Sequence, residues 1–430
     1  MSNYLAIIAK IDKVVEIPNA DNIHVAIVLS EAVIVSKAWQ PGMVGVFFPA
    51  GTQLSLGYAH ANNLHRDSEL NQDKTRKGFF ETNRRVRAQP FLKVKSEGFF
   101  ADLGSLSYTG ADVNALKLGD RFETLNGQDV ATKYVNEKTR TAQANNKTKA
   151  KKKRAVPLFL EHTDTEQFKH NLHKLNVGDL ITIQTKRHGT SVRYAHLPVE
   201  LTLPKWKQLI NKVLPVFPEQ KWDYVVGTRR VILDAPDKVG FHGSEGYRFE
   251  WLEVVKPFLS KGMTVYGEIV GYANGKPIMA PHGTAGLKDK AVAKKYGDTI
   301  VYKYGCTEGT NDFHIYRITL TTEDGTVIDF TQAQLVAWCV ERNLKPSTDL
   351  VPQFVYDGDE EALLELVNTL TERDNVLTED FVDASHISEG VIVRVDRGTT
   401  RPLFLKSKSY RFKVLEGIAQ EVEVDTEDAA

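Results

Sequence analysis

The sequence predicts an α+β protein in which a small all-β barrel precedes a larger domain of antiparallel sheets with flanking helices. Three observations carry this reading. At 430 residues the chain exceeds the size at which single hydrophobic cores stop growing, so two domains are expected. From Tyr4 to Phe122 the apolar runs are short and broken by turn residues, as in an all-β module. Beyond Val156, strand-like runs alternate with apolar stripes at helical spacing.

In the first region Ala6 to Val15, Val25 to Leu29, Ala32 to Ser36 and Val44 to Phe48 read as strands, broken at Pro18-Asn19-Ala20-Asp21 and Gln40-Pro41-Gly42. Several short strands over residues 1–128 predict an OB-like barrel. A polar insertion, Tyr58 to Thr82, is followed by Arg84-Arg85-Val86-Arg87-Ala88-Gln89-Pro90-Phe91-Leu92-Lys93-Val94-Lys95 and Phe99-Phe100. Cations interleaved with aromatics suit a single-stranded nucleic acid, cations for phosphate and ring faces for bases. A solvated strand over an aromatic core accounts for the same residues, and both readings stay open here.

Residues 129–156 are basic and poor in large apolar side chains, so they read as a linker, with contact to RNA phosphates or mere solubility as its use. The second domain is expected over residues 157–416. Trp206, Leu209, Ile210, Val213 and Leu214 show helical spacing, as do Tyr247, Trp251, Val254, Val255 and Phe258, and Leu363, Leu366, Val367 and Leu370; all three stripes are expected in the core. Strand-like runs are Tyr224 to Leu233, Thr264 to Val270, His314 to Thr321, Gly390 to Val395 and Pro402 to Lys408. Residues 417–430 form an acidic tail.

The 55 basic and 55 acidic residues cancel, so nucleic-acid binding must rest on local patches. Cys306 and Cys339 lie far apart and outside metal-ligand spacing, which predicts two small buried hydrophobes in a reducing, cytoplasmic protein. No apolar run reaches the ~18 residues of a membrane span.

Candidate chemistry centres on Lys186-Arg187-His188-Gly189-Thr190-Ser191, which follows the alternating run Leu180 to Thr185. Period two places Lys186 with Thr182 and Gln184, opposite Ile181 and Ile183. Alone, such a lysine reads equally as surface decoration. Glu268 within Val265-Tyr266-Gly267-Glu268-Ile269-Val270-Gly271, Glu389 before Gly390-Val391-Ile392-Val393-Arg394, and Lys406 and Lys408 at the end of Pro402 to Lys408 are charges set in apolar strands. Buried charges need compensation, so these acids and lysines are expected to pair.

Taken together and in this order, these stretches resemble motifs I, III, IV and V of the covalent nucleotidyltransferases, the ligases and capping enzymes. Within them the likeness is to ATP-dependent RNA ligases of the RNA ligase 2 type, in the subgroup with an N-terminal OB-like domain. Leu160-Glu161-His162-Thr163-Asp164-Thr165-Glu166-Gln167 adds to it. The resemblance covers residues 157 to 415 firmly and 1 to 125 loosely. It implies a nucleotidyltransferase (adenylyltransferase) domain with ATP and Mg²⁺ or Mn²⁺ as cofactors, and RNA with 3′-OH and 5′-phosphate ends as partner. Lys186 would be the adenylated nucleophile, and Arg229 (or adjacent Arg230) would hold phosphate or ribose. Glu268 and Glu389 would bind a metal through water, Glu268 also the ribose, and Tyr316 would stack on adenine. Lys406 and Lys408 would contact the AMP phosphate; Thr185, His188, Gly189 and Ser191 complete the nucleotide site. Thr185 departs from the acid common at that position, and Ser191 from an asparagine.

A lysine attacks phosphorus only when neutral, and its reference pKa of about 10.4 keeps it protonated at neutral pH. Neighbouring cations such as Lys406 and a bound metal are expected to free the amine. The rival readings are a DNA ligase, a capping guanylyltransferase, or a non-catalytic RNA-binding protein with a degenerate transferase domain. The first two usually carry an OB domain after motif V, whereas here about 20 residues follow Lys408. A monomer is the default expectation.

Overall fold

The computed structural model describes residues 4–18, 20–91, 94–135, 156–163, 165–237, 239–240, 243–285, 290–373, 386–398 and 401–417. Most of the expected basic linker, Asp164 and the acidic tail beyond residue 417 lie outside these. The chain divides into two compact units, Met1–Lys147 with Ala285–Ala293 and Tyr410–Ala430, and Thr148–Thr284 with Lys294–Ser409.

In the first unit the expected opening strand forms as two, Ala6–Lys10 and Lys13–Glu16. The break falls between two charged residues, Lys10 and Asp12. A four-stranded antiparallel sheet runs in the order Arg121–Phe122, Ala6–Lys10, Val44–Pro49, Gly98–Asp102, and a three-stranded meander joins Lys13–Glu16, Ile23–Val28 and Glu31–Ser36. Ile23–Val28 stops one residue earlier than expected because Leu29 and Ser30 are both left-handed (φ 50° and 61°), as a two-residue I′ hairpin turn requires. The unit is not wholly β: helix Leu56–Ala61 is capped by the Ser55 side chain and buries Tyr58 and Ala59.

Two segments extend this unit past residue 128. Ala131–Lys133 pairs with Thr52–Leu54. Helix Tyr410–Leu415 also belongs to it, burying Tyr410 and Phe412 and pairing Lys413 with Glu97 at 2.7 Å.

The second unit is built on two sheets. One runs Glu166–Gln167, Leu403–Lys408, Gly390–Asp396, Leu180–Thr185, Phe354–Val355; its central pairings are antiparallel. Ile181, Ile183, Val391, Val393, Val395 and Leu405 share one core with helix Glu360–Glu372, which contributes Leu363, Val367 and Leu370. The other runs Ile232–Leu233, Gln220–Gly227, Thr190–Glu200, Met263–Ala273, Asn311–Thr321, Val327–Asp329. Helices Gly246–Val255 and Gln332–Val340 close its apolar face with Tyr247, Leu252, Val255, Leu335, Trp338 and Cys339. Alternation thus sends apolar residues to the helices and polar ones between the sheets.

Two expectations are corrected. The stripe at Trp206 is not core: Trp206, Leu209, Ile210, Val213 and Leu214 are all exposed. Helix Lys205–Asn211 has only seven residues, so Val213 and Leu214 fall beyond its end and the spacing no longer describes one face. Val254 is also exposed, unlike the rest of its stripe. Cys339 is buried in the core, but Cys306 is only half-buried, beside Gly271 of strand Met263–Ala273. Among the described residues no helix is long and apolar enough to cross a membrane.

Leu405 is fully buried opposite Val393. Leu405→Ala is expected to remove about 2–5 kcal/mol from the stability of this unit, read as a lowered urea midpoint. A wild-type midpoint would show that the Leu403–Lys408 strand does not depend on this packing.

Candidate active site

Strand Leu180–Thr185 is buried on both faces from Ile181 onward. Its ladder with Gly390–Asp396 ends where the Lys186 N–H donates to the Gly390 carbonyl at 3.0 Å, which brings Lys186 beside Glu389. Lys186 Nζ lies 2.7 Å from Glu389 Oε1, and Lys408 Nζ reaches the same oxygen at 3.2 Å. Glu389 is 3% exposed. Burial alone would push its carboxyl up; Lys186 and Lys408 outweigh that and hold it down at about 2. Its second oxygen, Oε2, is buried without a hydrogen-bond partner, with His188 Nδ1 at 3.9 Å.

His188 is held through both its backbone and its ring. Its N–H donates to the Tyr304 hydroxyl at 2.6 Å, and its ring packs edge-on to Tyr302 at 4.7 Å. Burial, against the pull of Glu389, lowers its imidazole to about 4, so it stands neutral at physiological pH. Gly189 follows because nothing larger fits: a Cβ there would lie 2.4 Å from the Ile269 carbonyl and 2.9 Å from Glu268 Cγ.

That close approach sets the first sheet's lysine against the second sheet's acid. Ser191 pairs with Glu268 across the Thr190–Glu200 and Met263–Ala273 ladder. On the other side the register slips: Tyr266 faces Arg317 and Gly267 faces Ile315, which leaves Tyr316 as the extra residue of a β-bulge. The bulge turns Tyr316 into the space between the sheets, where its hydroxyl meets Ser191 Oγ at 3.1 Å and its ring meets His162 edge-on at 4.9 Å. Glu268 is raised to about 7, by burial first, with Lys186 pulling it down and Glu389 pushing it up.

These groups enclose a cavity of about 340 Å³. Thr185, Lys186, Gly189, Ser191, Arg229, Glu268 and Tyr316, all singled out from the sequence, line it. His188, Glu389 and Lys408 form the buried layer around Lys186 rather than the wall. Lys406 lies opposite Ile392 on the neighbouring strand, one alternate position from Phe404; Ile392 and Phe404 line the cavity and Lys406 does not. Of the two adjacent arginines, Arg229 is in the wall, whereas Arg230 approaches Glu161 at 3.9 Å in an exposed pair.

Sequence reasoning missed several wall and support residues. His162 and Phe404 meet at 5.0 Å and form an aromatic side with Tyr316; both sat inside quoted segments, yet neither has a spacing signal. Arg193, 2% exposed, donates to the carbonyls of Thr228, Phe159 and Leu160 and so ties the Arg229 turn and the His162 segment to one strand. Among the described residues no group of three or more His, Cys, Asp or Glu is placed to hold a metal. The available carboxylate donors are Glu268 and the unpartnered Oε2 of Glu389, a set that suits a cation drawing its other ligands from water and phosphate.

The two glutamates should respond oppositely to loss of charge. Glu389, depressed to about 2, contributes stability that is present above the unfolded value near 4.5 and lost as pH falls toward 2. Glu268, raised to about 7, lowers stability as pH climbs from about 4.5 to 7. In chelator at pH 8, Glu268→Gln is therefore expected to raise Tm, with the gain vanishing at pH 5. Glu389→Gln should lower Tm at pH 8, because two cations lose their acid. Parallel shifts in the two variants would refute this assignment.

No protein-family model matches the sequence, and no curated protein matches it. Solved structures do. An RNA ligase of Naegleria gruberi with pyrophosphate matches at 14% identity and a TM-score of 0.59, covering 96% of this chain and 98% of that one. A variant of that ligase with ATP and Mn matches at 14% and 0.60, covering 96% and 99%, and a variant with AMP and Mn at 14% and 0.57, covering 96% and 98%. The chain has the fold of these RNA ligase structures.

Proposed function

We propose that the chain is an ATP-dependent RNA ligase that joins 3′-OH and 5′-phosphate RNA ends through a lysyl-AMP intermediate and an adenylylated 5′ end. The observation that carries this reading is the cavity wall: Lys186, Arg229, Glu268 and Tyr316, far apart in sequence, converge on one space of about 340 Å³. The likeness in fold to ligases solved with ATP or AMP and Mn supports it, as does the motif order. An OB-like first domain is part of the same proposal.

In this mechanism Lys186 gives up a proton to solvent, leaves Glu389 and attacks the α-phosphate of ATP with the freed amine. The P–N bond forms as the bond from the α-phosphorus to the bridging oxygen of pyrophosphate breaks, and the second proton of the attacking nitrogen passes to solvent. Tyr316, with His162 and Phe404, offers the base an aromatic wall. Arg229 and Lys406 supply positive charge for phosphate, while Thr185 and Ser191 offer hydroxyls near the nucleotide. Glu268 and Glu389 would hold Mg²⁺ or Mn²⁺, largely through water, and the ion when bound would neutralise triphosphate charge. Preorganised positioning and electrostatics then carry the transfer.

Incubation with ATP labelled at the α-phosphate should give a covalent adduct that is lost in Lys186→Ala and in folded Lys406→Ala. Unlabelled GTP should compete poorly, and the wild type should seal 3′-OH to 5′-phosphate RNA ends. An adduct that survives Lys186→Ala would sink the mechanism; undiminished labelling of Lys406→Ala would remove that lysine from the site.

A further inference from the structure

The first unit holds its own cavity, of about 250 Å³, which the proposed adenylation chemistry does not use. Trp39, Phe79 and Phe99 are half-buried in its wall, so part of each ring remains presented. Buried rings brace them from behind: Phe100 meets Trp39 at 4.9 Å, and Phe80 meets Phe79 at 4.6 Å and Phe99 at 5.4 Å. Arg85 and Arg87 enter the same wall two residues apart. The Nε of each is buried without a hydrogen-bond partner, and Arg85 lies over the Tyr134 ring at 4.3 Å. Burial and the charge of Arg87 push the Arg85 guanidinium down, against the weaker pull of Tyr134, Tyr4 and Glu416. Glu81, the carboxylate in the wall, is exposed.

Two half-buried cations side by side attract an anion, and braced aromatic faces are what a flat ring system stacks on. Phosphate alone would not need the rings, and an apolar ligand would not need the arginines. The volume lies just below the range of about 300–1,000 Å³ typical of drug-sized ligands, which fits one nucleotide unit. In a duplex the base faces are hidden by stacking, so the unit must come from an unpaired strand. We infer that this cavity binds a nucleotide of single-stranded RNA, the base against Trp39, Phe79 and Phe99 and the phosphate at Arg85 and Arg87. The inference rests on the ligase reading for its choice of RNA. It gives the chain a grip on its substrate separate from the adenylation cavity.

The test uses the full chain without ATP and a fluorescent single-stranded oligoribonucleotide of about ten nucleotides, read by anisotropy across a salt titration. Arg85→Gln with Arg87→Gln is expected to raise Kd at least about tenfold and to flatten the slope of log K against log salt by about 1.4, the value for two phosphate contacts. Trp39→Leu, which keeps apolar packing on Phe100, should weaken single-strand binding about tenfold and leave duplex RNA binding unchanged. Circular dichroism melts matching the wild type establish folding. Wild-type affinity and salt slope in the double arginine variant overturn the inference. So does displacement of the probe by free AMP as effective as by unlabelled oligonucleotide at equal nucleotide concentration. A wild-type chain that forms the lysyl adduct while the variants bind RNA normally refutes this site alone. A wild-type chain that forms no adduct refutes the ligase reading, whatever the anisotropy shows.

Discussion

Glu389 is a carboxylate with almost no access to water, and much of the candidate site can be understood from the need to keep it ionised. Its two lysines come from different strands, Lys186 at the end of Leu180–Thr185 and Lys408 at the end of Leu403–Lys408, with the acid just ahead of Gly390–Asp396 between them. Leaving such a group with no cationic partner strands a buried charge, which costs about 3–5 kcal/mol. Strand register and charge pairing are therefore one constraint. A one-residue slip would turn Lys186 to the face of Ile181 and Ile183, where it would meet Leu363 and Val367 instead of an acid.

A second constraint keeps the space in front of Lys186 open. The facing surfaces of the two sheets carry polar and charged residues, several of which bond to one another. Arg394, fully buried, donates Nε to Asp396 at 2.9 Å, Nη1 to the Tyr316 carbonyl at 3.2 Å and Nη2 to the Phe330 carbonyl. Asp396 in turn accepts the Gln332 N–H at 2.8 Å, and Arg317 grips Asp329 through two hydrogen bonds. Because Arg394 belongs to one sheet and Tyr316 to the other, this bond holds the bulged tyrosine from behind. Apolar residues of similar volume would collapse onto each other; a hydrogen-bonded polar seam holds its geometry.

Much of this was legible in the sequence. Alternation in Leu180 to Thr185 placed Lys186 with Gln184, and both line the cavity. Acids and lysines embedded in apolar runs pointed to mutual compensation, which Glu389 with Lys186 and Lys408 displays. Other features leave no trace in a linear pattern. The bulge at Tyr316 depends on register between two strands, and the choice of Arg229 over Arg230 depends on a turn that gives Arg230 to Glu161. The Trp206 stripe misled twice: the helix ends at Asn211, and even Trp206, Leu209 and Ile210, which share a face within it, stay exposed, because periodicity reports a face and not what covers it. The extension of the first unit by Ala131–Lys133 and Tyr410–Leu415 rests on partners tens to hundreds of residues away, which composition cannot reveal.

The pairing at Glu389 also revises how the proposed nucleophile would be prepared. Crowding by cations was expected to free the Lys186 amine, yet its near neighbour is an acid, and an ammonium held in an ion pair has no lone pair to offer. The ammonium must therefore give up a proton to solvent before attack, and the shared oxygen makes that loss tolerable. Both lysines meet Oε1, so Lys186 can leave while Lys408 remains to compensate the buried carboxylate. In the proposed chemistry the departure is lasting, because a nitrogen bonded to phosphorus no longer carries the ammonium charge. A site with Lys186 as the sole partner would strand Glu389 at that moment; with Lys408 in place, the acid stays satisfied before and after the bond forms. On this account Lys408 makes the loss of the Lys186 cation tolerable, a role that a phosphate contact alone would not require.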